Sequence, residues 1–399
     1  MIPIRFLEEE NRVRKTRKTT KIAVAFAAAI AFAAVDAGSS AAAPEPESRG
    51  IRVTRFLGEQ RLPHRTLFEG TTVGGLSGLD RDPRTGTWYL ISDDRWRYNP
   101  ARFYTGQLDI DPATGAFTGV RLTGVTTLRR PDGSAYPAYG QADAADPETI
   151  RYDPHRRALL WGHEGDRPDA ERPNIPLSQL FLRWTSTGGR HLGEVPVPRN
   201  LHLTTTDKGP RRNFGFEGLA FAPHRIAAVI EGPRHEDGRP PTVERGAPTR
   251  ITVWDRSGRV LGQYAYQIDK LPAAPIPPTG TTDSGVSEIL AVDDHRYLVL
   301  ERSWIEGVNY RVKLYEIDLR GASNILSRDS LSSGRPYRAV SKRLVLDLDS
   351  PAPTQNLESL SWGPRLRTGE CTLVIGSDDN FDEREVTQFQ AYAVRGCRS

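Results

Sequence analysis

Residues 215–234 read GFEGLAFAPHRIAAVIEGPR, and this pattern of a polar anchor, an apolar run, a turn and a second apolar run decides the fold. Four other stretches follow the same pattern. They are GGLSGLDRDPRTGTWYLISDDR from Gly74, DPETIRYDPHRRALLWGHEGDR from Asp146, GVSEILAVDDHRYLVLERSW from Gly285 and NLESLSWGPRLRTGECTLVIGSDDN from Asn356. The anchors, at steps of 69 to 71 residues, are Ser77, Glu148, Glu217, Glu288 and Glu358. Such equal steps indicate an array of repeated units.

Two further strand-like runs follow each of the first four stretches. After residues 215–234, for example, RITVWDR and RVLGQYAYQI are joined by a Ser-Gly turn. Alternating apolar and polar residues with glycine-bearing turns predict β-hairpins, and no long helical periodicity is present. Four antiparallel strands in each radial repeat predict an all-β fold, a β-propeller with five four-stranded blades.

The fifth repeat ends at its third strand, TQFQAYAVRG. Residues 51–63 resemble the fourth-strand segment at 259–272, so we expect this N-terminal strand to complete the last blade and close the ring. A sixth blade within 100–146 or 310–350 is the alternative. Both regions lie inside the 70-residue period, which favours five blades.

The N-terminal segment has the pattern of a targeting signal. A basic head is followed by a wholly apolar run from Ile22 to Val35 and by small residues up to Ala43. This run is shorter than the roughly 20 residues that a membrane span needs, and the order of features is typical of a signal peptide. We predict a signal peptide at 1–43, a linker at 44–50 and one propeller domain at 51–399, in a secreted or periplasmic protein. An uncleaved anchor is the alternative.

Charge and cysteine content limit the classes of partner. The 399 residues carry a net charge of +4, most of which lies in residues 1–43. No dense basic run interleaved with aromatic residues remains, so we expect no nucleic-acid partner. We also expect no stable membrane span after cleavage, and a monomer.

The two cysteines, Cys371 and Cys397, open and close neighbouring apolar runs. In an exported protein this favours a disulfide, with two free thiols as the alternative.

Acidic residues recur where the innermost strand of each repeat begins and where the second strand ends. In a propeller both positions lie on the same face, where the longer loops also gather, and such loops often carry function. Clustered carboxylates suit Ca²⁺ or Mg²⁺, and neighbouring arginines suit phosphate or carboxylate. The alternative is a purely structural role, in which these acids pair with neighbouring arginines or accept backbone hydrogen bonds.

We therefore predict a divalent-cation site, with Ca²⁺ favoured. The expected metal ligands are Glu148, Glu217, Glu288, Glu358, Asp93, Asp94, Asp378 and Asp379. The expected catalytic residues are Glu217, Glu358, Arg95, Arg234, Arg302 and His163. His163 is included because it adjoins Glu164 on the same face, as a ligand or a general base; a structural histidine is the alternative. Glu164 and Glu231 belong to an expected second ring of acids at the strand ends.

Three segments, Gly74–Arg95, Asn213–Leu219 and Asn356–Asn380, resemble the phytase-like family of secreted bacterial propeller proteins, known for an "esterase-like activity of phytase". The resemblance extends over roughly residues 51–397. It implies hydrolysis of phosphate or carboxylate esters outside the cytoplasm.

The expected function is a secreted, metal-dependent ester hydrolase. We expect a small anionic substrate, with a phosphoester favoured over a carboxylester. A non-catalytic propeller that binds a ligand or partner, and a Ca²⁺-dependent lactonase, are the alternatives.

Overall fold

The computed structural model describes residues 50–348 and 355–397, which contain 22 strands and two short 3₁₀ helices, Arg199–Leu201 and His235–Asp237. The predicted signal peptide at 1–43 and all but the last residue of the predicted linker lie outside the described residues. Within the described part, no helix is long and apolar enough to cross a membrane.

Twenty of the strands form five antiparallel four-stranded sheets, the blades. The first strands of the described residues are β1 (Arg52–Leu62), β2 (Leu67–Phe68) and β3 (Thr71–Thr72). Blade 1 contains β4 (Gly78–Arg81), β5 (Trp88–Ser92), β6 (Arg102–Ile110) and β7 (Phe117–Thr127). Blade 2 contains β8 (Pro147–Asp153), β9 (Ala158–His163), β10 (Phe181–Ser186) and β11 (His191–Val195).

The remaining blades repeat this order from the axis outwards. Blade 3 contains β12 (Phe216–Phe221), β13 (Arg225–Ile230), β14 (Ala247–Asp255) and β15 (Val260–Ile268). Blade 4 contains β16 (Thr282–Ala291), β17 (Arg296–Ile305), β18 (Asn309–Asp318) and β19 (Ser341–Asp347). Blade 5 contains β20 (Leu357–Trp362), β21 (Cys371–Ser377) and β22 (Thr387–Arg395), with β1 as its outer strand.

The N-terminal strand closes the ring, as predicted. β1 pairs antiparallel with β22, from Arg52 opposite Arg395 to Leu62 opposite Thr387. The innermost strands contact one another in the closed cycle β4, β8, β12, β16, β20 and back to β4. The fold is therefore the predicted five-bladed propeller, and the six-bladed alternative is wrong.

Apolar clusters fill all five interfaces between neighbouring blades. Successive residues of a strand point to opposite faces of the sheet, so Leu90 and Ile91 of β5 pack into two different interfaces. Each interface has one cluster with members from both blades: Ile91 and Trp161, Leu182 and Ile230, Ile251 and Val299, Leu300 and Leu373, and Val374 and Leu90. The stability of the ring therefore depends on contacts between blades.

The predicted disulfide is present. Cys371 begins β21 and Cys397 follows β22, and the bond joins them with a Cα–Cα distance of 6.4 Å. It ties together β21 and β22, the second and third strands of blade 5 counted from the axis.

A β-bulge in the innermost strand recurs in blades 2 to 5. The pairing shifts by one residue at Glu148, Glu217, Ser287 and Glu358, so these residues have no partner on the adjacent strand. Ser77, directly before β4, takes the same place in blade 1. The hydroxyls of Ser77 and Ser287 both donate to the next blade, to the carbonyl oxygens of Pro147 (3.1 Å) and Leu357 (3.2 Å).

This register corrects the prediction for Glu288. The alignment placed Glu288 with the other anchors, but Ser287 holds that position, and Glu288 lies one residue further along the axis. The equivalent axial residues are small: Gly78, Thr149, Gly218 and Ser359. A Cβ on Gly218 would lie 2.7 Å from the backbone nitrogen of Ile289, so the inner strands approach closely and leave space for one long side chain.

An ion pair occupies the propeller axis. Arg151 lies 2.8 Å from Glu288 and donates to carbonyl oxygens of blades 1, 3 and 4, those of Leu79 (2.6 Å), Leu219 (2.6 Å) and Ile289 (3.1 Å). Both side chains are buried. The pair fills the axis with bonded polar groups and binds four blades to one another.

Candidate functional site

A polar cavity of about 220 Å³ opens where the innermost strands begin and the second strands end. We call it the mouth. Its lining consists of Asp93, Arg95, Glu148, Asn213, Glu217, Asp283, Arg302, Trp304, Tyr310, Glu358, Asp378 and Asn380. A larger cavity of about 530 Å³ lies by the turn between β16 and β17, on the other face. The carboxylate of Glu316 there is already paired with Arg296 and Arg343, so the mouth is the better candidate.

Two carboxylate triads share one residue, and each contributes one residue, Glu148 or Glu217, to the lining of the mouth. In each triad the ligand oxygens are within 4.8 Å of one another; the triads are Asp146–Glu148–Glu164 and Glu164–Glu217–Glu231. Glu148 and Glu217 come from the bulges, whereas Glu164 and Glu231 directly follow β9 and β13. The shared Glu164 also accepts a hydrogen bond from the backbone of Gly215 at 3.2 Å, which fixes its position between the two blades.

Arg95 lies at the first triad. Its guanidinium is 2.7 Å from Asp146, 3.6 Å from Glu164 and 4.0 Å from Glu148. The same nitrogen that lies near Glu148 and Glu164, Nη2, donates to Asn213 Oδ1 at 3.1 Å. The backbone of Arg95 is left-handed, with φ of 52°, a conformation uncommon for a residue with a side chain. The turn therefore holds Arg95 in a strained conformation that directs it to the acids.

Arg302 lies at the far side of the second triad. It is 2.8 Å from Glu231, 3.2 Å from Asp283 and 3.7 Å from Glu358, and it donates to Asn356 Oδ1 at 3.1 Å. Arg302 belongs to blade 4, so these contacts reach blades 3 and 5 as well. Each arginine thus lies among three carboxylates and one amide oxygen.

Negative charge at the mouth exceeds what these two arginines offset. The acids are Asp93, Asp146, Glu148, Glu164, Glu217, Glu231, Asp283, Glu358 and Asp378. Burial, and then the neighbouring Asp146, raises the pKa of Asp93 and that of Glu164 to about 8. Burial, with the repulsion of nearby carboxylates, also holds the pKa values of Glu148 and Glu217 well above the usual range. Without a further cation, several of these groups stay protonated at neutral pH.

The mouth fits a divalent cation. Both triads offer only carboxylate oxygens, the ligands preferred by Ca²⁺ and Mg²⁺. Glu231 Oε2 is buried and has no hydrogen-bond partner among the described residues. A buried carboxylate oxygen without a partner is costly, so a bound cation would satisfy an acceptor that the protein leaves unused.

Most of the predicted site residues come together at the mouth. They are Asp93, Arg95, Glu148, Glu217, Arg302, Glu358 and Asp378. Of these, Glu148 and Glu217 belong to the triads. Asp93, Glu358 and Asp378 line the cavity opposite them, on blades 1 and 5.

Two predicted ligands bond to backbone instead of facing the mouth. Asp94 accepts hydrogen bonds from the backbone of Arg97, Tyr98 and Asn99 at 2.8 to 2.9 Å. It also pairs with the buried Arg102 at 2.5 Å. Asp379 Oδ1 accepts from the backbone nitrogens of Gly75 (2.9 Å) and Phe381 (3.1 Å). These two aspartates shape the loops that carry Asp93 and Asp378.

Two predicted catalytic residues and one ligand also lie elsewhere. Arg234 is buried against Asp237 at 2.9 Å and donates to two backbone carbonyls. His163 is bonded to the backbone nitrogen of Asp146 at 2.9 Å and to Ser178 Oγ at 3.1 Å. Burial lowers the pKa of His163 to about 4, so its ring is neutral and positions the Asp146 loop. Glu288, as described, lies on the axis.

Several residues of the mouth and its triads are not among the predicted site residues. Asp146 completes the first triad, and its position two residues before Glu148 was the signal that could have identified it. Glu164 and Glu231 were expected in an outer ring, but both are triad members. Asn213 and Asn356 hold the two arginines through contacts between blades, for which the sequence offers no signal.

The sequence signature of the Phytase-like family, described as "esterase-like activity of phytase", matches residues 71–381. The chain belongs to the Phytase-like family. The matched range includes every residue that lines the mouth. No protein with a curated description is significantly similar to this Phytase-like chain.

Among solved structures, one similar to this Phytase-like chain is a mutant of the GH43 protein BlXynB from Bacillus licheniformis. The TM-score is 0.38 and the sequence identity 10%, and the match covers 80% of this chain and 50% of that chain. The chain therefore spans about half the length of that protein.

Proposed function

We propose that this protein is an exported, divalent-cation-dependent ester hydrolase that acts on small anionic phosphoesters in preference to carboxylesters. The observation that carries the proposal is the pair of buried carboxylate triads sharing Glu164, flanked by two arginines. The family description supports a hydrolase-type propeller. Ca²⁺ is the favoured cation because it takes many oxygen ligands in flexible geometry.

The residues of the mouth divide into two chemical roles. The triad carboxylates would hold the cation, which supplies polarisation of the ester and activation of a water molecule. Arg95 and Arg302 offer guanidinium groups to the anionic part of the substrate. Asp93, whose pKa is raised to about 8, retains a proton at neutral pH, and Glu358 lies on the same side of the cavity. These two are the candidates for proton transfer to the leaving group.

Export and a monomeric state complete the proposal. The disulfide between Cys371 and Cys397 supports an oxidising compartment, where such bonds persist. The predicted signal peptide at 1–43 would direct the chain there. We propose that the mature chain acts alone, without nucleic acid and without a stable membrane span.

Turnover of p-nitrophenyl phosphate, p-nitrophenyl acetate and a lactone, each with Ca²⁺ and with chelator, tests the proposal. We expect Ca²⁺-dependent turnover of the phosphate ester and its loss in Glu217→Gln. Turnover of the lactone alone would indicate a lactonase. No turnover, with a chelator-sensitive melting temperature, would indicate a binding protein. No turnover and no effect of chelation would exclude a metal-dependent hydrolase.

A further inference from the structure

Arg95 and Arg302 occupy matching environments at the two ends of the acidic cluster. Each guanidinium contacts three carboxylates and one asparagine side-chain oxygen, at 2.7 to 4.0 Å. Both side chains are largely buried, 15% and 10% exposed. A shell of carboxylate and amide oxygens is also what Ca²⁺ takes in proteins. Each arginine is therefore placed as a cation among hard oxygen ligands.

The arginines contact the same carboxylates that form the triads. Arg95 contacts all three acids of the first triad, and Arg302 contacts Glu231 of the second. A divalent cation and a guanidinium held by the same oxygens repel each other, and the repulsion is stronger at a partly buried site than in water. A divalent cation and these guanidiniums therefore compete for the same oxygens.

We propose that Arg95 and Arg302 are internal counter-ions that a divalent cation displaces, and that the displaced guanidiniums then form the binding site for the substrate anion. The inference rests on the proposed function, since it concerns the same cation and anion. While the arginines are paired with carboxylates, they have little capacity left for an external anion. Cation and anion consequently bind with positive coupling, and thermodynamic linkage makes the coupling reciprocal.

Calorimetry on the wild-type protein measures this coupling directly, without turnover. Inorganic phosphate is titrated with chelator and with Ca²⁺, and Ca²⁺ is titrated with and without phosphate. We expect each ligand to tighten the other by about tenfold or more, within the usual range of coupling between sites. Equal phosphate affinity in both conditions would overturn the inference. Absence of Ca²⁺ binding to the wild type would instead overturn the proposed cation site.

Substitution of Arg95 separates its charge from its structural contacts. Arg95→Gln removes the competing charge, so Ca²⁺ should bind about tenfold tighter while the tightening by phosphate is reduced. Arg95→Lys keeps the charge and should leave Ca²⁺ affinity close to wild type. Unchanged or weaker Ca²⁺ binding by folded Arg95→Gln would contradict a counter-ion role. If Arg95→Gln does not fold, Arg302→Gln carries the same expectation at the second triad.

Arg167→Gln is the matched control. Arg167 follows the strand-end acid of blade 2, and its side chain is more buried than those of Arg95 and Arg302. Its ion-pair partner is the exposed Asp207, at 3.9 Å, which belongs to neither triad. Its hydrogen bonds go to backbone carbonyls, those of Thr206, Lys208 and Pro210. Its loss should leave the affinities for Ca²⁺ and phosphate unchanged. An equal gain in Ca²⁺ affinity in Arg167→Gln would show that the effect of Arg95→Gln comes from a general loosening of the fold, and it would overturn the inference.

Discussion

Two pairs of consecutive aspartates, Asp93–Asp94 and Asp378–Asp379, lie at the mouth, and the two members of each pair have different surroundings. Asp93 and Asp378 line the cavity, while the residue after each, Asp94 or Asp379, bonds to backbone N–H groups. In this way the first carboxylate of a pair faces the cavity, where Asp378 also accepts a hydrogen bond from the backbone of Asn380 at 2.8 Å. The second carboxylate fixes the loop that presents the first.

Asparagine substitutions at Asp93 and Asp94 should have different effects on stability. Asp94→Asn breaks a buried ion pair with Arg102, so the free energy of unfolding should fall by about 3–5 kcal/mol. Asp93→Asn should change it by less than about 1 kcal/mol without Ca²⁺, because the raised pKa of Asp93 already keeps it neutral. Urea unfolding of both variants with chelator provides the measurement. A larger loss for Asp93→Asn would contradict the assignment.

The raised pKa values also predict how stability depends on pH. Asp93 and Glu164 have folded-state pKa values of about 8, above their unfolded values, so the stability they contribute is present at low pH and lost as pH rises. The lowered pKa of His163 acts in the opposite direction, but only below about pH 6.5. With chelator, the melting temperature should fall by several degrees between about pH 6.5 and pH 9. Ca²⁺ should reduce this fall, and a flat profile with chelator would contradict the prediction.

At the scale of single residues, the sequence predicted which residue types gather at the mouth better than it predicted the exact position of each one. The anchors Glu148, Glu217 and Glu358 were predicted correctly to lie at one channel end, because the 70-residue period fixes their place in each blade. Glu288 was misplaced by one position, because Ser287 and Glu288 are both polar and a bulge leaves no mark on spacing. Which aspartate of a pair faces the mouth depends on loop backbone, which the sequence alone does not determine.

Among the structural elements, blade 4 differs most from the repeat. It supplies a serine at the bulge and a glutamate on the axis. Its segment at 319–340, between β18 and β19, bonds to β15 of blade 3 through Ile325 and Val340, at 2.8 and 3.0 Å. Blade 4 therefore contributes to cohesion between blades more than a regular repeat would.

The axial ion pair should show strong energetic coupling. Arg151→Leu or Glu288→Leu leaves one buried charge without its partner, and each should lower the free energy of unfolding by about 3–5 kcal/mol. The double variant should lose clearly less than the sum, because both charges are then absent. Denaturant unfolding of the four proteins completes the cycle. Additive losses would show that the pair is not a coupled unit.

Loss of the disulfide should destabilise blade 5. Cys371 and Cys397 are 26 residues apart, and a crosslink over a loop of this length contributes about 3 kcal/mol through the unfolded chain. The double serine variant should melt at a lower temperature than the oxidised wild type and close to the reduced wild type. Equal melting of the oxidised and reduced wild type would contradict the expectation.

At the scale of the whole molecule, repeat spacing was sufficient to predict the architecture. Equal steps predicted five blades, and the likeness of residues 51–63 to a fourth strand predicted their place beside β22. Contacts across blades, such as Arg302 with Glu231 and Glu358, depend on ring geometry that no single repeat encodes. The sequence therefore predicts that acids gather at one face of the ring, but not that they form two triads.

The pairing of β1 with β22 also determines when the native state can form. Among the strands of the described residues, β1 is the first to be synthesised, and its partner at Thr387–Arg395 is the last. Until the final strand emerges, β1 has no neighbour in its blade and the interface between blades 5 and 1 cannot form. Contacts between residues so distant in sequence slow folding. The growing chain therefore remains an open arc until β22 has been synthesised, and only then can the ring close.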